Sequence, residues 1–83
     1  MTDADIKEVI DICSKMMSLY GDRVLIVETK AGKQEEPAEG VVVAGEGFKP
    51  GQRVMFQHMG YPMMVGRYKC HLGRTACVVA VLK

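Results

Sequence analysis

The residues of this sequence that could bind a metal are its histidines and cysteines, which are common zinc ligands. Cys70 and His71 are adjacent, and His58 and Cys77 lie on either side of them. Adjacent residues of a strand point to opposite faces, so Cys70 and His71 cannot both converge on one ion. We therefore expect no metal site and no cofactor, and we interpret the cysteines as buried structural residues.

Catalytic groups in a recognisable arrangement are not found in the sequence. No glycine-rich phosphate loop opens a helix, and no acid and base share a spacing typical of catalysis. Serine occurs only at Ser14 and Ser18, within a segment that we predict to be helical. We therefore expect that the chain is not an enzyme and has no catalytic residues.

Aromatic and basic residues are interleaved in the second half of the chain, a pattern of small barrels that bind nucleic-acid strands. A pI of about 7.7 is well below that of a typical nucleic-acid-binding domain. The chain has two Phe and three Tyr, so its core needs most of them. Nucleic-acid binding is therefore our third hypothesis. Its residues would be Phe48, Phe56, Tyr61, Tyr68, Lys49, Arg53, Arg67 and Lys69.

A helix is the first element that the pattern predicts. Apolar residues recur at steps of three and four over residues 4–20, as in an amphipathic helix. Thr2 or Asp3 can cap its start, Asp5 completes a Thr-x-x-Asp capping box, and Gly21 stands where a left-handed residue ends a helix. The apolar face could bind a partner, although packing on the helix's own domain is the usual arrangement. This face consists of Ile6, Val9, Ile10, Cys13, Met16, Met17 and Tyr20.

Short strands follow the helix. Residues 23–27 are β-branched and apolar on both faces, and glycine with proline between the apolar runs of residues 39–56 indicates a tight reversal. We expect strands at residues 23–27, 40–44, 52–57, 63–72 and 76–82, a loop at 29–38, and turns at 58–62 and 73–74. Five or six such strands predict a mainly β fold, a small barrel or sandwich preceded by one helix.

Length and composition further limit the kind of protein that the sequence can be. Its 83 residues have room for one folded domain with a thin core, and seven Met residues supply adaptable packing. No apolar run approaches the roughly 20 residues that span a bilayer, and the first residues are acidic, unlike a secretion signal. Three cysteines are too few for a disulfide framework. We expect a soluble, cytoplasmic protein that does not bind membranes.

The charges are distributed asymmetrically along the chain. All ten acidic residues lie at or before Glu46, although the formal net charge is only +1. Either a basic face binds an anionic partner, or the acidic surface of one copy faces the basic surface of the next. Folding could also interleave the two halves and leave no patch. The basic residues after Glu46 are Lys49, Arg53, Arg67, Lys69, Arg74 and Lys83.

Four segments, taken in order, resemble the successive strands of the GroES-type co-chaperonins. They are SLYGDRVLIV (residues 18–27), EEPAEGVVVAGEG (35–47), KPGQRVMF (49–56) and LGRTACVVAVL (72–82). The match covers most of residues 18–83, and the order of the four motifs makes it more specific than any one of them. The resemblance implies a GroES-like β-barrel over residues 22–83, with the helix of residues 1–21 as an addition.

The chain departs from this family at two places that concern function. The family carries a mobile loop with an apolar tripeptide that docks on a chaperonin, but residues 29–38 contain no large apolar residue. The roof hairpin that the family inserts after its Gly-x-Gly is also missing. We therefore expect that the docking contact is lost. The shortened loop corresponds to Thr29, Lys30, Ala31, Gly32, Lys33 and Gln34.

Ring assembly is the family property that the sequence retains. The resemblance implies that the N-terminal strand region of one subunit meets the C-terminal strand of the next, in a head-to-tail contact. The interface residues would then be Val24, Leu25, Ile26, Val27, Cys77, Val78, Val79 and Val81. Our first hypothesis is a non-enzymatic structural subunit of an oligomer, such as a component of a viral capsid or shell located within a virion. The second is a minimal co-chaperonin that binds a chaperonin through another surface.

Overall fold

A computed structural model describes residues 2–16, 18–19, 21–32, 36–45, 47–57 and 61–82. It confirms the predicted fold class, which is mainly β with one N-terminal helix. The elements are α1 (Asp3–Met16), β1 (Arg23–Lys30), β2 (Ala38–Gly45), β3 (Arg53–Phe56), β4 (Tyr61–Val65), β5 (Tyr68–Arg74) and β6 (Val78–Val81), with a 3₁₀ turn at Thr75–Cys77.

All six strands form one antiparallel sheet in the order β4-β5-β1-β2-β3-β6. β1 lies inside the sheet and pairs with both β2 and β5. The two edges of the sheet are β4 and β6. Pairing between them, which would close the sheet into a barrel, is absent from the described residues.

The start of α1 has the predicted capping box. The Thr2 backbone N–H donates to Asp5 Oδ2 at 3.0 Å, and the Asp5 N–H donates to Thr2 Oγ1 at 3.2 Å. The helix ends at Met16, four residues earlier than expected, and Met17 and Tyr20 lie outside the described residues. Gly21 has the predicted positive φ, 65°, but in the bend before β1 and not beside the end of the helix.

Both faces of the sheet are buried, because side chains of β1 and β2 alternate between two apolar clusters. The first cluster lies under α1 and consists of Val9, Cys13, Leu25, Val27, Val41, Val43, Val65, Tyr68 and Cys70. The second cluster consists of Val24, Ile26, Val42, Val54 and Phe56. Phe48, Cys77 and Val78 pack against this second cluster. The apolar residues of β1 on both faces therefore serve two cores of the same chain.

Close packing requires a glycine in β2. A Cβ atom at Gly40 would lie 2.5 Å from Ile26 Cγ2 and 3.0 Å from the ring atom Cε1 of Phe56. Glycine within a strand often marks such a close approach. The absence of a side chain at Gly40 lets the Phe56 ring lie against β2.

Several predicted boundaries differ from the structure. Residues 29–30 belong to β1 because Lys30 pairs with Glu39, and residues 73–74 belong to β5 because Arg74 pairs with Arg23. Residues 61–62 are the start of β4, not part of a turn. The single strand expected at residues 63–72 is two strands that reverse at Gly66, whose φ is 59°.

Candidate functional site

The cysteines and histidines do not converge in the described part of the chain. Cys70 points into the first cluster, while His71 lies beside Phe56 on the opposite face. No group of three or more His, Cys, Asp or Glu side chains among the described residues could hold a metal ion, and His58 lies outside them. Burial raises the pKa of the Cys13 thiol, and it raises the pKa of Cys70 to about 12. Both are therefore protonated at neutral pH and are poor ligands and nucleophiles.

His71 is the buried polar side chain of the described core, with 2% of its surface exposed. Its Nε2 atom lies 3.4 Å from Glu28 Oε1, and its ring centroid lies 5.5 Å from that of Phe56. His71 is opposite Ile26 in the register, so Glu28 is its diagonal neighbour on the same face. The sequence does not show this pair, because the two residues meet only through strand pairing. We interpret the pair as structural.

A polar cluster joins α1 to the β4–β5 hairpin, and we call its four residues, Asp5, Glu8, Arg67 and Tyr68, the clasp. The Tyr68 hydroxyl donates to Glu8 Oε2 at 2.7 Å and lies 3.1 Å from Asp5 Oδ1. Arg67 Nη2 donates to the Tyr68 hydroxyl at 3.2 Å and to Asp5 Oδ1 at 3.3 Å. The clasp brings one basic residue of the second half, Arg67, onto two acidic residues of the first, so part of the charge asymmetry is satisfied within the chain.

Hydrogen bonding shifts the pKa of three clasp residues, and the pKa of Arg67 is raised, chiefly by its hydrogen bond to Tyr68. The pKa of Asp5 is lowered, first by the hydrogen bonds of the capping box with Thr2 and then by Tyr68 and Arg67. The pKa of Tyr68 is raised, chiefly by its hydrogen bond to Glu8. Asp5 therefore caps the helix with one carboxylate oxygen and holds the hairpin with the other.

The apolar face of α1 packs on the sheet of its own chain. Val9 and Cys13 are fully buried in the first cluster, and Ile6 and Ile10 are partly buried against it. These four side chains are used within the chain. Of the described members of the face proposed for a partner, only Met16 is available, with 65% of its surface exposed.

The two strands expected at a subunit interface differ in position. Val24, Leu25, Ile26 and Val27 have no exposed surface and lie between two paired neighbours, so they are not available to another copy. In the C-terminal strand region, Cys77 and Val78 are partly buried, whereas Val79 and Val81 are 48% and 45% exposed. Of the two expected strands, only β6 lies at an edge of the sheet.

Exposed apolar side chains are concentrated at the two edges of the sheet. Four of the five exposed large apolar residues in the described part of the chain lie on β4 or β6. An edge strand also has unpaired backbone N–H and C=O groups, so such an edge can pair with another chain. Sequence reasoning missed β4, because it assigned residues 61–62 to a turn. The four edge residues are Tyr61, Met64, Val79 and Val81.

The region of the shortened loop contains a small cavity. Thr29 and Lys30 lie in β1, Ala31 and Gly32 follow it, and Lys33 and Gln34 lie outside the described residues. The cavity has a volume of about 170 Å³, below the roughly 300 Å³ of typical ligand sites. We assign no ligand to it. It is lined by Lys30, Ala31, Gly32, Glu36, Pro37, Glu39 and Met55.

The aromatic residues considered for nucleic acid are mostly used inside the fold. Phe56 and Tyr68 are buried, and Phe48 packs against the second cluster. Tyr61 is the exposed member of the set, and Arg67 belongs to the clasp. Binding of single strands relies on several aromatic faces along a basic groove. The arrangement therefore gives this hypothesis no support.

No model of a known protein family matches this chain, and no curated protein matches it. None of the described residues form a helix that is long and apolar enough to cross a membrane. The two exposed edges of the sheet are thus the feature of the structure on which a functional interpretation can be based.

Proposed function

We propose that this protein is a non-enzymatic structural subunit that assembles with copies of itself through the edges of its sheet. The observation that carries this proposal is the position of Tyr61, Met64, Val79 and Val81 on the two edge strands. Edge strands of monomeric proteins are commonly protected by charged side chains or by proline; β4 and β6 have no charged residue, and β4 carries one proline, Pro62. Such edges are suited to strand pairing between chains.

The free energy gained by burying the four edge side chains indicates how strongly the copies associate. Fully burying one such side chain contributes about 1.5–3 kcal/mol, and these side chains are between 45% and 70% exposed before association. Each therefore contributes about 1 kcal/mol on association, in addition to new backbone hydrogen bonds. Association also has an entropic cost of several kcal/mol. We expect an assembly whose size depends on protein concentration.

The kind of assembly that we propose is a homo-oligomer such as a ring, or a repeated component of a viral capsid or shell. The resemblance to GroES-type co-chaperonins supports a ring. The partly satisfied charge asymmetry supports contacts between unlike surfaces of neighbouring copies.

Light scattering over a range of protein concentrations, at low and high salt, tests the proposal. We expect a mass that is a multiple of the 9.1 kDa chain. Val81→Lys should lower that mass, because it places a charge on the edge. Met16→Lys is the matched control, since it changes an exposed apolar side chain that belongs to α1 and to neither edge strand, and it should leave the mass unchanged. A 9.1 kDa monomer under all conditions would overturn the proposal.

A minimal co-chaperonin is the second candidate, and the exposure of Met16 at the end of α1 favours it. Met16 is an apolar anchor outside the sheet edges, of the kind that a chaperonin groove could bind. ATP-dependent co-sedimentation with a double-ring chaperonin tests this candidate. Binding that Met16→Lys abolishes would support it, and no binding in either nucleotide state would exclude it.

A further inference from the structure

Two arginines lie directly opposite each other in the sheet. The register between β1 and β5 pairs Arg23 with Arg74, where β1 begins and β5 ends. Arg74 has an extended backbone, with φ −90° and ψ 152°, so the alternation of β5 continues to its last residue. Side chains of directly opposite residues lie on the same face of an antiparallel pair. Leu25, two residues after Arg23, belongs to the first cluster, so both arginines are on the face of the sheet that carries α1.

A backbone hydrogen bond shows that this pair is of the closer kind. The Thr75 N–H donates to the Asp22 carbonyl at 2.7 Å. The bond joins the residue after Arg74 to the residue before Arg23, which is the pattern that flanks a non-hydrogen-bonded pair. In such a pair the Cα atoms are about 4.5 Å apart, closer than in a hydrogen-bonded pair. The two arginine side chains therefore start from the closest positions that an antiparallel sheet offers.

Neither arginine forms an ion pair with an acidic side chain of the described residues. Asp22 is next to Arg23 in the chain and is not paired with it, whereas Arg67 is paired with two acids of the clasp. Glu46, the residue after the end of β2, lies outside the described residues. Both Arg23 and Arg74 are exposed. The described part of the chain therefore leaves two neighbouring positive charges open to a ligand.

The paired arginines have a cost that a bound anion removes. Like charges directly opposite each other destabilise a sheet. Arginine stays charged at neutral pH, so the pair cannot relieve its repulsion by losing a proton. A guanidinium group donates two parallel hydrogen bonds to a carboxylate or a phosphate. A phosphate monoester carries a charge of about −1.5 to −2 at neutral pH, so it matches two arginines better than a carboxylate, which has a single negative charge.

We propose that Arg23 and Arg74 form a binding site for the phosphate group of a phosphate monoester. Each guanidinium donates hydrogen bonds to oxygen atoms of the same group, and the bound dianion removes the repulsion between the two side chains. The site lies on β1 and β5, neither of which is an edge strand of the sheet. The proposal is therefore independent of self-assembly through the edges.

NMR titration with inorganic phosphate tests the proposal. The phosphate is added to the unmodified protein at neutral pH and constant ionic strength, and we expect saturable shifts of the backbone amide signals of Arg23 and Arg74. Arg74→Gln should weaken binding about tenfold or more, because each guanidinium supplies charge-assisted hydrogen bonds. Arg53→Gln is the matched control, since it removes an exposed arginine that lies opposite Val41, and it should leave the affinity unchanged.

A short phosphoserine peptide with uncharged neighbours distinguishes the source of the phosphate group. An affinity equal to that of inorganic phosphate supports a site for the group alone, and a higher affinity supports a site for a phosphorylated segment of a partner. The unphosphorylated peptide is the control and should not bind. The proposal is wrong if neither phosphate probe saturates, or if Arg74→Gln weakens binding no more than Arg53→Gln does.

Urea unfolding measures the repulsion between the two arginines separately. In chloride buffer, Arg74→Gln should have a higher urea midpoint than Arg74→Lys, which keeps the charge opposite Arg23. Phosphate at the same ionic strength should raise the midpoint of the unmodified protein more than that of Arg74→Gln, because a ligand of the folded state stabilises it. If Arg74→Lys has the higher midpoint in chloride, an acid of the chain such as Glu46 already neutralises the pair, and the proposed site does not exist.

Discussion

Two strands with apolar runs, β1 and β6, differ in their position in the sheet. β1 contains four consecutive side chains with no exposed surface, whereas Val79 and Val81 of β6 are about half exposed. The difference comes from pairing, because β1 has a strand on each side and an apolar cluster on each face. Among the described strands, β6 pairs with β3 alone. Apolar composition thus identifies a strand that must be covered, but not whether its own chain covers it.

The largest effect is expected when one side chain in each strand is truncated. Leu25→Ala should lower the free energy of unfolding by about 2–5 kcal/mol, because it leaves a cavity in a fully buried cluster. Val81→Ala should change it by less than about 0.5 kcal/mol in dilute protein, where the edge is free. Urea unfolding followed by circular dichroism measures both. Equal losses would mean that β6 is covered within the chain.

Addition of a methyl group tests how tightly the inner strands pack. Gly40→Ala should destabilise the fold by about 1–3 kcal/mol, because its Cβ would meet Ile26 and the Val27 carbonyl at 2.5 Å. Ala80→Val is the edge counterpart, since Ala80 is an exposed residue of β6. It should leave the urea midpoint of dilute protein almost unchanged. A tolerated Gly40→Ala would show that β2 and Phe56 can separate without loss.

The features that were predicted from sequence are those with local causes. The capping box joins Thr2 to Asp5, three residues later, and the burial of β1 on both faces follows from its own run of apolar residues. The partner of each strand depends on contacts between distant residues, so the sequence did not distinguish the centre from the edge. The extension of β1 through Lys30 was missed for the same reason, because polar residues continue the strand where Glu39 pairs with them.

The candidate site was predicted less well than the fold. β1 and β6 were both assigned to the interface on the same apolar signal, although only β6 lies at an edge of the sheet. The actual second edge, β4, contains Pro62 and follows a segment rich in turn residues, which made it resemble a turn. The clasp was missed altogether, because Asp5 and Tyr68 are 63 residues apart and meet only after α1 packs on the sheet.

Two tyrosines extend the comparison to single hydroxyl groups. Tyr68 on β5 donates to Glu8 and belongs to the clasp, while Tyr61 on the β4 edge is 70% exposed. Tyr68→Phe should lower the urea midpoint, because Glu8 loses its donor and α1 is held less firmly over the first cluster. The loss should be smaller than that of Leu25→Ala. Tyr61→Phe is the control and should leave the midpoint unchanged; an equal effect of both would mean that the clasp does not stabilise α1.

The smallest expected effect is the pH dependence that Asp5 gives to the packing of α1 on the first cluster. The pKa of its carboxyl is lower in the folded chain than in the unfolded chain, chiefly through the hydrogen bonds of the capping box. Its contribution to stability is therefore complete above the unfolded pKa of about 3.9 and is lost as the pH falls through the folded pKa.

Asp5→Asn isolates that contribution. The variant should be less stable than the unmodified protein at neutral pH, and the difference should shrink as the pH falls below about 4. Asp3→Asn is the matched control, because it removes the same charge from the first turn of α1 without touching the clasp. Thermal unfolding at a series of pH values measures the difference. A difference for Asp5→Asn that stays constant down to low pH would show that its charge does not hold α1, so that packing alone keeps the inner strands covered while the edges stay open.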